Sequence, residues 1–260
     1  MNALKKLQTV GKWLILTLSP LLLPAFEAPY ESTVVHDRSY YEQRGDVMWE
    51  VPIEEKLIAL TFDDGPSFDL TPQILDVLKQ YDAKATFFVL GNRIDRHKDI
   101  VLREVMEGHE IGNHTFNHAF FNHHLSKNRI SREIETTKRK LKEVAGVDSP
   151  WFRPPGGYYN DSVIEAAKES GYTVILWSWH QDTEDWKSPG VEAIVNKVLN
   201  NVRNGDIVLM HDNVMHSHQT VDALKIILPE LKARGYKFVT ISELVEQKYR
   251  WDELDYFQYE

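Results

Sequence analysis

Asp63 and Asp64 end the apolar run Leu57-Ile-Ala-Leu-Thr-Phe62 and are followed by a Gly65-Pro66 turn. Side chains alternate along a strand, so neighbours point to opposite faces unless the chain turns. A turn here lets both carboxylates reach one cavity, where they need a cation or a proton between them. A solubilising Asp-Gly turn is the plainer explanation. Histidines, an arginine and another Asp/His pair at the ends of later apolar runs weigh against it. His114 and His118 are four residues apart, a spacing that on a helical turn puts two imidazoles on one face around a divalent ion. With Asp64 they form a two-histidine, one-carboxylate set that leaves positions for water. Such a set suits catalytic zinc, and iron and other divalent ions accept it too. Asp63 is left over. Beside a dication it stays ionised and can accept a proton from water.

Arg153 opens the segment Arg153-Pro-Pro-Gly-Gly157. A guanidinium there is a natural partner for Asp63, and two prolines before two glycines suggest a shaped loop with close backbone approach. The run ending Leu209-Met-His211-Asp212 aims His211 at the same place. Asp182-Thr-Glu-Asp185-Trp186 can supply an acid that orients and charges this imidazole, a pair suited to protonating a leaving group. His123, His124, His216 and His218 fall in polar stretches and read as solvent-exposed. Tyr158, Tyr159, Trp179 and Trp186 cluster near these motifs, where aromatic rings can serve as core or stack on sugars. The segment His109-Glu-Ile-Gly-Asn-His114 imitates a metalloprotease helix, but its spacing is five, Gly112 interrupts it and it reads as a strand. A protease is excluded on that basis.

The elements that must position these residues are short apolar runs alternating with helical patterns. The runs are 57–62, 86–90, 110–113, 151–153, 173–177, 206–210 and 237–239. Between the first two, Thr71-Pro72 reads as an N-cap and first helical residue, with Ile74, Leu75, Val77, Leu78 and Tyr81 on an apolar face. Ile130, Ile134, Leu141 and Val144 mark a longer charged helix ending near Gly146. Gly108, Gly171 and Gly235 suit left-handed helix ends. Regular alternation implies α/β architecture, a parallel sheet with helices outside it, either closed or open. The polar residues follow the runs, at the carboxyl ends of strands, where both architectures build sites.

With 42% hydrophobic and 27% charged residues the chain is globular, and without cysteine any metal must be held by His, Asp or Glu. A net charge of −9 with no basic stripe argues against nucleic acid as a partner. Lys5, Lys6 and Lys12 precede the apolar stretch 13–23, the pattern of a secretory signal too short for an ordinary transmembrane helix. The expected division is a signal peptide or anchor (1–28), a polar lead-in (29–55), the main domain (56–249) and an aromatic, acidic appendage (250–260). Export, or retention outside the cytoplasm by an uncleaved anchor, is the expected location.

Thr-Phe-Asp63-Asp64-Gly-Pro, His114-x-x-x-His118, Arg153-Pro-Pro-x-Gly157, Asp182-x-x-Asp185-Trp186 and Leu209-x-His211 occur in this order. Together they resemble the five motifs of the NodB-type polysaccharide deacetylases, carbohydrate esterase family 4, over about residues 57–244. The resemblance implies a distorted (β/α) barrel, commonly of seven parallel strands. It implies Asp63 as general base, Asp64, His114 and His118 as metal ligands, and Arg153 as the tether of Asp63. It further implies His211 as general acid tuned by Asp185, the Gly156 N–H as an oxyanion donor, and Trp186 and Leu209 lining an acetyl pocket. Family members often carry a larger residue where this chain has Gly156, so a sugar contact is expected to be missing there.

The expectation is therefore a monomeric, divalent-metal enzyme, with Zn2+ the best fit and Co2+ or Ni2+ also suitable. It would release acetate from N-acetyl groups of a GlcNAc-containing polysaccharide, peptidoglycan or chitin-like oligomers. The competing expectations are an O-acetyl esterase acting on a glycan such as xylan, and a non-catalytic wall-glycan-binding protein.

Overall fold

The computed structural model describes residues 36–121, 125–215 and 217–257. The proposed signal segment and the side chains of His123, His124 and His216 lie outside them. Each of the seven expected runs forms a strand. In chain order these are β2 (Leu57–Asp63), β3 (Ala85–Val89), β4 (Glu110–Asn113), β5 (Trp151–Phe152), β6 (Thr173–Ile175), β7 (Asp206–His211) and β8 (Lys237–Phe238). One further strand, β1 (Val47–Met48), precedes them within the stretch expected to be lead-in. It pairs with β6, and Tyr41, Trp49 and Val51 around it are buried. The lead-in is therefore part of the domain; its strand is too short to leave a period in the sequence.

All pairings are parallel, in the order β1-β6-β5-β4-β3-β2-β7, with β8 paired to the first residues of β2. The chain after β6 then returns along the free edge of β7. Ser178 N–H donates to Ile207 O at 3.0 Å, Thr183 N–H donates to Leu209 O at 3.4 Å, and Asp182 bridges Leu209. The sheet thus curls into a barrel whose seam, between its β1–β6 end and β7, is irregular chain rather than a strand.

Every residue of β2 is buried, as a strand covered on both faces must be. Ile58, Leu60 and Phe62 face the outer layer, packing with Ile74, Leu75 and Leu78 of α2 (Leu70–Gln80) and Leu224, Ile227 and Leu228 of α8 (Gln219–Ala233). Each such side chain contributes about 1.5–3 kcal/mol by leaving water. The alternate residues face the barrel interior, Ala59 beside Phe88, Ile175 and Ile207. This alternation puts Thr61 and Asp63 on the interior face at the carboxyl end.

The other helices are α1 (Arg38–Gln43), α3 (Gly91–Ile94), α4 (Lys98–Met106), α5 (Lys127–Ala145), α6 (Asp161–Glu169), α7 (Val191–Leu199) and α9 (Ile241–Phe257). Gly108, Gly146, Gly171 and Gly235 follow helix ends at positive φ, as their positions predicted. Helix α2 starts earlier than expected, with Asp69 at its N-cap. Thr71 is not the cap: its Oγ1 accepts from Ser67 N–H at 2.7 Å and donates to the Asp212 carboxylate at 2.6 Å. The boundary expected at 250 is not marked by a break, because α9 runs through it. No helix among the described residues is long and apolar enough to cross a membrane.

Candidate active site

The carboxyl ends of the strands converge on a cavity of about 400 Å³ lined by Asp63, Asp64, His114, His118, Phe120, Gly156, Tyr158, Trp177, Asp182, Trp186, Leu209 and His211. Asp63 and His211 are register partners on the adjacent strands β2 and β7, so the two proton-transfer candidates stand opposite each other. Asp64 follows with φ of 75°, a left-handed conformation rare outside glycine and asparagine-like residues. That turn brings the second carboxylate to the same side as the first. Asp212 fixes the turn from below. Its N–H donates to Asp63 O at 3.2 Å, its carbonyl accepts from Ser67 Oγ at 2.6 Å, and a Cβ on Gly65 would collide with its carboxylate.

The two histidines do not lie on a helical turn. Strand β4 ends at Asn113, and the following loop carries Thr115 and His118 at positive φ. Its backbone N–H groups are satisfied by side chains: Asn113 Oδ1 accepts from Thr115, and Glu133 of α5 accepts from Phe116 and Asn117. The four-residue spacing brings the imidazoles together by this loop rather than by helix geometry.

Asp64 Oδ1 lies 3.4 Å from His114 Nε2 and 3.0 Å from His118 Nε2. One ligand atom from each residue fits within 4.8 Å of the others. The His114 Nδ1 atom, 2.7 Å from Arg153 O, can only be the donor, so in the neutral ring Nε2 keeps a lone pair for a metal. Asp64 Oδ1 is buried and accepts no hydrogen bond among the described residues, although two imidazoles converge on it. Burial alone would raise the Asp64 carboxyl, but the close approach of the His114 and His118 imidazoles outweighs burial and holds the group far below the usual carboxylate range. A divalent cation fits this donor set in chemistry and in size.

Arg153 is wholly buried. Its Nη1 donates to Asp63 Oδ1 at 2.8 Å and Thr61 Oγ1 at 2.7 Å, while Nη2 and Nε donate to Leu176 O and Ile175 O. Burial lowers its pKa against the opposing pull of Asp63. The remaining Asp63 oxygen, Oδ2, is 3.8 Å from His114 Nε2, on the side of the ligand set.

His211 Nδ1 donates to Asp185 Oδ1 at 2.7 Å. Asp185 Oδ2 accepts from His211 N–H at 2.9 Å and Thr220 Oγ1 at 2.6 Å, so the carboxylate is locked in place. Burial by itself would depress the imidazole, but the Asp185 bond and charge, with Asp63 and Asp64 beyond, push it up to about 9. The Asp185 pairing thus biases His211 toward its cationic form. Of the two acids in that motif, Asp185 is the partner; Asp182 lines the cavity instead.

Gly156, Tyr158, Trp186 and Leu209 take their expected places around the cavity. Trp179 does not: it is 69% exposed and rests edge-on against His180. Ser178 is pinned to Ile207, and the short 3-10 turn after it carries Trp179 outward. Trp177 occupies the wall, and a Cβ on Gly157 would come within 2.7 Å of its ring. Tyr159 packs against Tyr41 and Trp49, away from the cavity. Phe120, Trp177, Asp212 and Thr220 were not singled out from the sequence. Trp177 had a signal in its position at the end of the sixth-strand run, and Asp212 in its adjacency to His211. Thr220 had none, being in the first turn of a helix.

With the geometry in place, the chain belongs to the polysaccharide deacetylase family, whose profile matches residues 50–175. A peptidoglycan-N-acetylglucosamine deacetylase of Bacillus cereus is 52% identical over 213 residues, covering 82% of this chain and 99% of the relative. A crystal structure of the Bc1960 peptidoglycan N-acetylglucosamine deacetylase with a bound N-oxidanyl-benzamide superposes with a TM-score of 0.75. It is 36% identical over 78% of this chain and 94% of its own. A family 4 acetyl xylan esterase from Clostridium thermocellum, in complex with a cobalt ion, gives a TM-score of 0.68. That match is 39% identical over 73% of this chain and 90% of its own. The chain is thus a metal-dependent deacetylase in class, with the barrel of that family.

Proposed function

We propose that this enzyme removes acetyl groups from N-acetylglucosamine residues of peptidoglycan or a related GlcNAc polymer, as a zinc hydrolase acting outside the cytoplasm and as a monomer. The observation that carries the reading is a tethered carboxylate, Asp63, and an acid-paired imidazole, His211, at register positions on adjacent strands beside one candidate ligand set. Ester cleavage releases an alcohol that leaves readily, whereas amide cleavage needs the nitrogen protonated as it departs. A His211 held near pKa 9 meets that need. The similarity to a GlcNAc deacetylase over nearly that protein's whole length supports the choice of sugar.

Asp64, His114 and His118 would hold the zinc, which when bound polarises the acetyl carbonyl and makes water more acidic. Arg153 occupies Asp63 Oδ1, so Oδ2 is the base that takes the proton of the attacking water. The Gly156 N–H, on a loop left-handed at both glycines, would stabilise the oxygen that becomes negative. His211 keeps Nδ1 on Asp185 and delivers the Nε2 proton to the departing amine. Asp185 stabilises the imidazolium before transfer and fixes its orientation throughout. Trp177, Trp186 and Leu209 restrict the space beside the reacting carbonyl.

The esterase reading is favoured by one observation, the similarity to an acetyl xylan esterase. Side-by-side turnover of N-acetylglucosamine oligomers and acetylated xylan by the zinc-loaded enzyme separates them. Greater kcat/KM on the amide is expected, and appreciable activity on the ester alone would overturn the assignment.

A further inference from the structure

We propose that Phe120 is a substrate-binding residue, forming with Tyr158 an aromatic platform on the His118 side of the cavity against which a sugar ring packs. The inference rests on the deacetylase reading above. Phe120 and Phe121 are adjacent but diverge: Phe121 is 2% exposed and part of the core, whereas Phe120 is 49% exposed at the cavity wall. Its ring stands edge-on to the His118 imidazole at 4.9 Å and to Tyr158 at 6.1 Å, and Tyr158 is itself 53% exposed.

Gly156 shows what the two rings replace. A Cβ at this position would lie 3.0–3.1 Å from carbons of Tyr158 and Phe120, so both rings close over the glycine. The wall that a side chain at position 156 would build is supplied by Phe120 and Tyr158, one from the β4 loop and one from the β5 loop. The sugar contact expected to be missing at Gly156 is thereby restored from elsewhere in the chain.

The charge of the site specifies the occupant. Asp63, Asp64 and Asp182 line the cavity, and no lysine or arginine is among the described residues that line it. A neutral ring with an apolar C–H face suits an aromatic wall beside carboxylates, and an N-acetylglucosamine unit presents such a face.

The test compares the zinc-loaded wild type with Phe120→Ala and Phe120→Trp, using tetra-N-acetylchitotetraose as probe. Kinetics give KM and kcat, calorimetry gives the probe's Kd, and a competing chelator gives zinc affinity. The expected result for Phe120→Ala is a rise of about 2- to 12-fold in KM and Kd. The change in kcat should be smaller, zinc affinity retained, and Phe120→Trp should bind at least as well as wild type. A ring that merely props His118 would instead lower zinc affinity and kcat together while leaving Kd unmoved, and that result overturns the proposal, as does an unchanged Kd alone. Wild type that binds the tetramer without releasing acetate would refute the deacetylase reading, while the Kd comparison would still decide the role of Phe120.

Discussion

Replacing Asp185 with asparagine separates the charge of the acid from its shape. In the wild type, His211 is lifted from 6.5 to about 9, with the Asp185 bond and charge first among the upward influences. That lift is a bias of about 3 kcal/mol toward the imidazolium. At pH 7.5 about 97% of His211 is then protonated, and the alkaline limb of kcat/KM should fall near pH 9. In Asp185→Asn the neutral amide still offers an oxygen to Thr220, so the local packing is kept. The carboxylate is lost, however, and burial, the largest single influence, is then opposed only by the more distant Asp63 and Asp64 charges. With His211 back at or below its ordinary value, at most about 10% is protonated at pH 7.5. Protonation alone then costs about tenfold or more in kcat/KM at pH 7.5, and about tenfold less than that as pH falls to about 6 and below. The assay is a pH profile of acetate release from an N-acetylglucosamine oligomer between pH 6 and 10, at saturating zinc. An activity ratio between variant and wild type that stays constant across this range would refute the reasoning, as would an alkaline limb left near pH 9.

Asp63→Asn should keep its metal, since Asp63 is outside the ligand set, yet lose about 10²- to 10⁴-fold in kcat; zinc content and turnover on the same sample check both halves. His118→Ala, altering a side chain only partly buried, should leave the fold intact and weaken zinc by more than about 10²-fold, read by chelator competition with circular dichroism as the control. Asp212 is fully buried and its carboxyl is raised to about 7, with burial as the largest cause. A carboxyl raised this way favours the folded state fully below about pH 4, its unfolded value, and that contribution is lost as pH rises through about 7. Asp212→Asn, always neutral, should therefore gain on wild type as pH rises, by at most about 4 kcal/mol above pH 7. Thermal unfolding of the metal-free proteins from pH 4 to 8 reads this, and a difference independent of pH would contradict it.

The strands were legible because parallel strands buried on both faces leave continuous apolar runs, as 57–62 and 206–210 do. Two-residue β1 leaves no such trace; its place is set by pairing with β6, which is a tertiary fact. The ligand set was legible in residue types, because no cysteine competes and the two histidines are close in sequence. Their loop was not, since Thr115 and His118 adopt left-handed backbone that neither residue type announces. The choice of Asp185 over Asp182 depends on a short 3-10 turn, and the exchange of Trp177 for Trp179 on how Ser178 is anchored. Both are decided by the β6–β7 seam, where the chain has neither strand nor helical period. Phe120 lies in no motif or apolar run, and its exposure beside the buried Phe121 is set by tertiary structure.

Acetate release from N-acetylglucosamine oligomers and purified peptidoglycan, with zinc and after chelation, tests the central claim most directly. The expected result is release that disappears on chelation and returns with added zinc. No release from either polymer, with zinc shown to be bound, would contradict it.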